Sequence, residues 1–196
     1  MEKLSVEYWN NAYLTNQIGW DIGSASTPLR EYFDQLSDKS IRILIPGAGN
    51  AYEAEYLWKK GFRNVFVLDF SQAAIQRFCS RFPDFPSENI LQQDFFIHQL
   101  RYDLIVEQTF FTSIFPSQRQ AYVEKTAQLL HTNGKLVGLF FNHHFSFDGP
   151  PFGGSQEEYR LYFSPYFYFK IFETAYNSIK PRKDRELFML LEKKIF

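Results

Sequence analysis

The chain has 196 residues, 45% of them hydrophobic, and a formal net charge of -1, which fits one domain with a sizeable core and excludes a disordered tail protein. A charge so close to zero offers no general attraction to nucleic acid or to an anionic membrane. The single cysteine, Cys79, cannot form an internal disulfide and fits a reducing cytoplasm, and no stretch reads as a signal peptide or a membrane span.

Residues 1–38 read as a helical segment rich in aromatics, with Trp9 and Tyr13 ahead of the loop-like NQIGWDIG that carries Trp20. IRILI (41–45) is a short apolar run stopped by Pro46-Gly47, the pattern of a strand buried on both faces. AYEAEYLWKK (51–60) has helical spacing and ends at Gly61, and NVFVLD (64–69) is the next strand. Ser71 caps a helix through SQAAIQRFCSRF, in which Cys79, among phenylalanines, is expected to be buried and inert. NILQQ (89–93) and RYDLIVEQ (101–108) are strands three and four, a helix over 117–130 is capped by Ser117 and stopped by Asn133-Gly134, and KLVGLFF (135–141) is strand five. A Gly/Pro loop (148–155), a short helix around SQEEYRLYF, and the runs 167–176 and 186–196 complete the chain.

Strand and helix alternate through residues 41–141, which asks for a parallel sheet with helices on both faces. The expected fold is α/β: a Rossmann-like, seven-stranded, mostly parallel sheet closed by a C-terminal antiparallel hairpin, all in one domain. Residues 1–38 then form a lid, 41–141 the ligand-binding core, and 142–196 the substrate loop and closing hairpin.

Gly47 and Gly49 stand where the chain turns sharply from strand to helix and where a ligand must approach the backbone. Asp69 ends the second strand and can accept two hydrogen bonds from a ribose diol. A dinucleotide such as NAD asks for a third glycine three positions after the second; that position is Tyr52, which is too large. A smaller, phosphate-free nucleoside fits better. S-adenosylmethionine has the ribose diol, an adenine for the third and fourth strand ends, and a cationic sulfonium that suits an aromatic wall.

At this point the chain resembles the class I S-adenosylmethionine-dependent methyltransferases, and among them the thiopurine S-methyltransferase family. The resemblance rests on YWNNAYLTNQIGWDIG (8–23) with TPL (27–29), IPGAGNAYE, VLDFS (67–71), QDFF (93–96) and EQTFFTSIFPSQRQAYV (107–123). Trp20-Asp21, the Pro-Gly-x-Gly turn and the GPPF loop (149–152) are closest to the halide/thiol methyltransferase branch. Gln108 stands where bacterial thiopurine enzymes have an arginine, and HHFSFD (143–148) replaces the acidic-histidine stretch of the plant enzymes.

The resemblance implies a cofactor site built from Tyr13, Trp20, Gly47, Gly49, Asn50, Asp69, Phe70, Ser71, Asp94, Phe95 and Glu107. Phe70 and Phe95 flank adenine or pack in the core, Asp94 meets the amino group or caps the QDFF turn, and Glu107 lies near the methionine end or in a buried salt bridge; Tyr13, Trp20 and Trp9 are candidates for the aromatic wall, with core packing the alternative favoured for Trp9. Arg119, His143 and His144 are the candidate catalytic residues, one histidine being able to deprotonate a thiol with a pKa of about 8.5. The alternatives for Arg119 and the histidines are a solvated helix arginine and hydrogen-bonded loop residues. No cluster argues for a metal. The expected partner is a small-molecule methyl acceptor, a thiol or thiolate first and a halide or chalcogen anion next; S-adenosylhomocysteine is the product. O- or N-methylation of a small metabolite and non-catalytic cofactor binding are the alternatives.

Overall fold

The computed structural model describes residues 4–195. Residues 1–3 and Phe196, the ends of the expected lid segment and final strand, lie outside the described residues. The elements are α1 (Val6–Leu14), α2 (Thr27–Asp34), β1 (Ile43–Pro46), α3 (Tyr52–Lys59), β2 (Val65–Asp69), α4 (Gln72–Arg81), β3 (Ile90–Gln92), β4 (Tyr102–Gln108), α5 (Arg119–Leu129), β5 (Leu130–Phe141), α6 (Gln156–Phe163), β6 (Phe167–Thr174) and β7 (Glu186–Lys193). One seven-stranded sheet has the order β3-β2-β1-β4-β5-β7-β6. β1 to β5 run parallel, and β7 lies antiparallel between β5 and β6. This is the Rossmann-like, seven-stranded, mostly parallel sheet expected, and the C-terminal hairpin enters it through its second strand.

The strand order reverses between β1 and β4, so a crevice opens at their carboxyl ends, the usual ligand position in such sheets. β1 is buried along its whole length, as its uninterrupted aliphatic run requires. On one face of the sheet, Phe111 packs within 5.1–5.7 Å of the rings of Tyr122, Phe140, Tyr159 and Phe163. On the other face Leu29 and Phe33 of α2 join Leu57 of α3 against Ile43, Val65 and Val106. Much of the aromatic excess is therefore core.

Three local expectations are corrected. Ser117 does not cap α5; residues 116–118 form a 3-10 turn in which the Gln118 side chain accepts the Phe115 N–H, and the α-helix begins at Arg119. The Asn133-Gly134 turn is an outward bulge within β5, where pairing with β4 jumps from Leu130 opposite Tyr102 to Lys135 opposite Leu104. Cys79 is half-buried, not buried.

Candidate active site

The turn after β1 places Gly47 and Gly49 at φ of +56° and +54°, followed by Ala51 at +49°. A β-carbon on Gly47 would overlap the Phe110 ring, and one on Gly49 would overlap the Tyr13 hydroxyl. Glycine at both positions is required by conformation and by space. Opposite them, Asp69 accepts the Gly49 N–H through Oδ2 (2.9 Å) and the Ser71 N–H through Oδ1 (2.8 Å). Burial pushes its pKa up to about 6, against the pull of these backbone donors. The carboxylate keeps acceptor capacity beyond these backbone donors, and Asp69 lines a cavity of about 560 Å³.

The N-terminal segment is fastened over that cavity by polar contacts with α4. Asn10 Oδ1 accepts the Ser71 hydroxyl (2.8 Å) and the Ala73 N–H (3.1 Å), and Arg77 donates to the Tyr13 carbonyl (3.1 Å). Ser71 is fully buried and caps α4 through the Ala74 N–H, so it supports the site from outside the cavity. Trp20 meets Trp9 and Tyr13 edge-on, with centroids 5.3 and 5.8 Å apart. All three rings line the cavity, so of its two readings Trp9 takes the wall and not the core packing favoured from sequence. Burial first, and then the charge of Asp69, push the Tyr13 phenol well above its ordinary pKa. Phe70, Asp94 and Phe95 also line the cavity, and Asp94 Oδ1 accepts the Phe96 N–H.

A second pocket of about 60 Å³ adjoins the first through Tyr13, Trp20, Gly47 and Thr109, and Gly49, Asn50, Asp21 and Gln108 line it. Asn50 and the Tyr52 hydroxyl both donate to Asp21 Oδ2 (2.5 and 3.3 Å). Glu53, buried in the first turn of α3, accepts the Ser26 N–H. Two carboxylates thus occupy the positive end of α3, where a pyrophosphate would otherwise be drawn.

At the opposite end of the cavity the three catalytic candidates separate. His143 lines it, His144 is exposed and outside it, and Arg119 is only 2% exposed and turned away. Arg119 pairs with Glu158 (2.6 Å), donates to the carbonyls of Gly153 (2.8 Å) and Phe152 (3.2 Å), and lies over the Phe111 ring. It fastens the Gly/Pro loop at Phe152 and Gly153 to α6, and its expected place beside the acceptor is corrected. Glu107 is fully buried outside the cavity, accepting the Phe111 N–H (2.9 Å) and the Tyr122 hydroxyl (2.5 Å), and burial raises its pKa to about 7. Neither ring nitrogen of His143 has a hydrogen-bond partner of good geometry. Burial holds this imidazole below its ordinary pKa, with the Arg185 carbonyl pulling the other way. The His143 carbonyl accepts the Gly154 N–H, and a β-carbon on Gly153 would collide with it.

The family model for thiopurine S-methyltransferase (TPMT) matches residues 4–194. The chain belongs to this family. It is an S-adenosylmethionine-dependent methyltransferase with a small-molecule methyl acceptor. Relatives include a probable thiol methyltransferase 2 of Arabidopsis thaliana, 28% identical over 80% of this chain and 71% of that protein. Thiocyanate methyltransferase 1 of Brassica oleracea is 26% identical over 74% of this chain and 66% of its own length. A thiopurine S-methyltransferase of Vibrio parahaemolyticus is 23% identical over 82% of each. The fold matches the magnesium protoporphyrin IX methyltransferase of Synechocystis, solved with bound SAM, at a TM-score of 0.76 and 10% identity over 99% of this chain and 98% of that one.

The methyltransferase's own residues fit a nucleoside without phosphates: a buried carboxylate with spare lone pairs faces the cavity, and carboxylates guard the adjoining helix end. Sequence reasoning missed Gln93, Thr109, Arg182 and Arg185, all of which line the cavity. Arg182 is buried, donating to Glu186 (3.2 Å) and to the Trp20 carbonyl (2.6 Å). The only signal for the two arginines is their place in a turn-rich stretch, KPRKDR, that reads equally as a solvated loop. Thr109 sits at φ +66°, a conformation unusual for a β-branched residue and one no sequence pattern announces. Among the described residues no helix is long and apolar enough to cross a membrane, and no acid, cysteine and histidine grouping could hold a metal.

Proposed function

We propose that this methyltransferase methylates a small, soft nucleophile, a thiol or thiolate first and a halide or chalcogen anion next. One observation carries the reading: His143 and the cation Arg185 line the same cavity among aromatic walls. The cavity's carboxylates, Asp69 and Asp94, belong to the β2 and β3 ends instead. The thiol and thiocyanate methyltransferases among the relatives support the same class.

Bound in the cavity, S-adenosylmethionine supplies a methyl group already activated on a sulfonium. Asp69 accepts the ribose hydroxyls, the Gly47–Gly49 turn lets the ligand approach the backbone, and Phe70 and Phe95 flank the base near Asp94. Tyr13, Trp20 and Trp9 exclude water and present ring faces to positive charge. Asn50, Ser71 and Glu107 act through the backbone and side chains they hold. His143, kept neutral by burial, takes the proton of a thiol, while an acceptor that arrives as an anion needs only the field of Arg185 and desolvation.

The test is turnover with a panel of thiols, thiocyanate and iodide alongside phenols and amines, reading S-adenosylhomocysteine and the methylated products together. Methyl thioethers, methyl thiocyanate or methyl iodide are the expected products. Turnover confined to phenols or amines would overturn the reading.

A further inference from the structure

Gln93 follows β3 directly, and its backbone N–H donates to the Asp69 carbonyl (3.2 Å). The residue lines the cavity, next to the residue proposed to meet ribose. That side chain is not free to turn. Gln93 Nε2 lies 2.9 Å from His98 Nδ1, and His98 Nε2 lies 2.8 Å from the Tyr102 hydroxyl. His98 is 2% exposed and Tyr102 is fully buried. With Nε2 of Gln93 turned to the ring, Nδ1 accepts, and the neutral ring carries its proton on Nε2 and donates it to Tyr102. With one amide hydrogen engaged, Gln93 keeps its carbonyl oxygen as the acceptor it can offer the cavity.

We infer that Gln93 reads the adenine of the cofactor by accepting from its 6-amino group, and that His98 is a positioning residue that holds the Gln93 amide in the accepting orientation. The inference rests on the cofactor placement proposed above and adds a specificity element to it. Asp94, the next residue, has one oxygen engaged by the Phe96 N–H and the other available, so adenine's two amino hydrogens have two acceptors side by side. A base with a carbonyl at position 6 would set oxygen against oxygen.

The arrangement requires a neutral His98, and its surroundings favour that form. Burial comes first, followed by the charges of Lys125 on α5 and Arg42 just before β1; all three lower its pKa, while Tyr102 on β4 stacks against the ring as a neutral phenol. Protonation would make Nδ1 a donor and draw the Gln93 oxygen away from the cavity.

The experiment is isothermal titration of the whole protein with S-adenosylhomocysteine and with S-inosylhomocysteine, whose base carries oxygen in place of the amino group. Wild type is expected to prefer the adenosyl ligand by at least about tenfold, the scale of a mismatched buried polar contact. Gln93→Leu, a substitution at a half-buried loop position, should reduce that preference to severalfold or less. His98→Phe, which keeps an aromatic ring against Tyr102, should do the same, with melting temperature recorded for both. The preference should also fall as pH drops below the ordinary imidazole range, whereas titration of Asp69 affects both ligands and cancels in the ratio. Imidazole nitrogen shifts should show His98 protonated on Nε2 alone. An undiminished preference in both variants overturns the inference, as does a preference abolished by Asp94→Asn but intact in Gln93→Leu. Wild type that binds neither ligand overturns the cofactor placement itself, and this inference with it.

Discussion

Around Asp69 the polar groups are partnered by backbone: the carboxylate takes two N–H groups, Ser71 caps α4, and Asn10 ties α1 to the same helix end. Around His143 the partners are missing. Its ring nitrogens make no hydrogen bond of good geometry, the Arg185 side chain is exposed, and the loop is held through the main chain by Arg119 and two glycines. A ligand that never changes is served by fixed acceptors whose positions the sheet dictates. An acceptor pocket needs reactive groups left unsatisfied, and those can stand only on a loop pinned from behind.

The sharpest way to break that contrast is Asp69→Ala. Removing a buried acceptor of two ligand hydrogen bonds should weaken S-adenosylmethionine binding about a hundredfold or more in a calorimetric titration. A loss below tenfold would mean that the turn binds without it.

Glu107→Gln probes the structural support. Glutamine can still accept from Phe111 and hydrogen bond with Tyr122, but it carries no buried charge. Glu107's pKa rises from 4.5 to about 7 on folding, so the wild-type folded state binds more protons than the unfolded state between those values. Its stabilising effect is full below the unfolded value and is lost as pH rises through about 7. The variant should therefore be more stable than wild type at pH 8, by about 2 kcal/mol, with the gap closing towards pH 5 in urea titrations.

At the acceptor end the effects should be smaller and depend on substrate. His143→Gln should lower kcat/KM for a neutral thiol about tenfold. That is below the usual ~100-fold or greater range for general bases, because a thiol of pKa about 8.5 ionises with little help. The same variant should leave thiocyanate turnover nearly unchanged, so equal losses on both acceptors would remove His143 from proton transfer. Smallest is Arg185→Ala, expected to raise KM severalfold for an anionic acceptor and less so at high salt, since the side chain is exposed.

The fold was legible because its signals are local. Each strand-to-helix turn carries its own punctuation, and Pro46-Gly47, Asp69 and Ser71 mark the sheet's binding edge from sequence alone. The site was legible where residues lie at strand ends, as Asp69, Asp94 and Phe95 do. It was not legible where function depends on contacts far apart in the chain. Nothing near Arg119 announces that Glu158, 39 residues on, will capture it, nor does KPRKDR reveal that Arg182 reaches Trp20 across 162 residues. Glu107 misled for the opposite reason: it ends β4 as a ligand-facing residue would, but the Phe111 N–H and the Tyr122 hydroxyl turn it inward.

The Arg182 bond to the Trp20 carbonyl also ties the two ends of the chain together. The Asp69 cradle is built from β1 to α4, yet the cavity wall also needs Pro181, Arg182 and Arg185, which precede β7, the strand that joins β6 to the sheet. The pocket is therefore completed from the far end of the chain, and a chain shortened before residue 181 would lose part of the cavity wall while keeping the turn that meets Asp69.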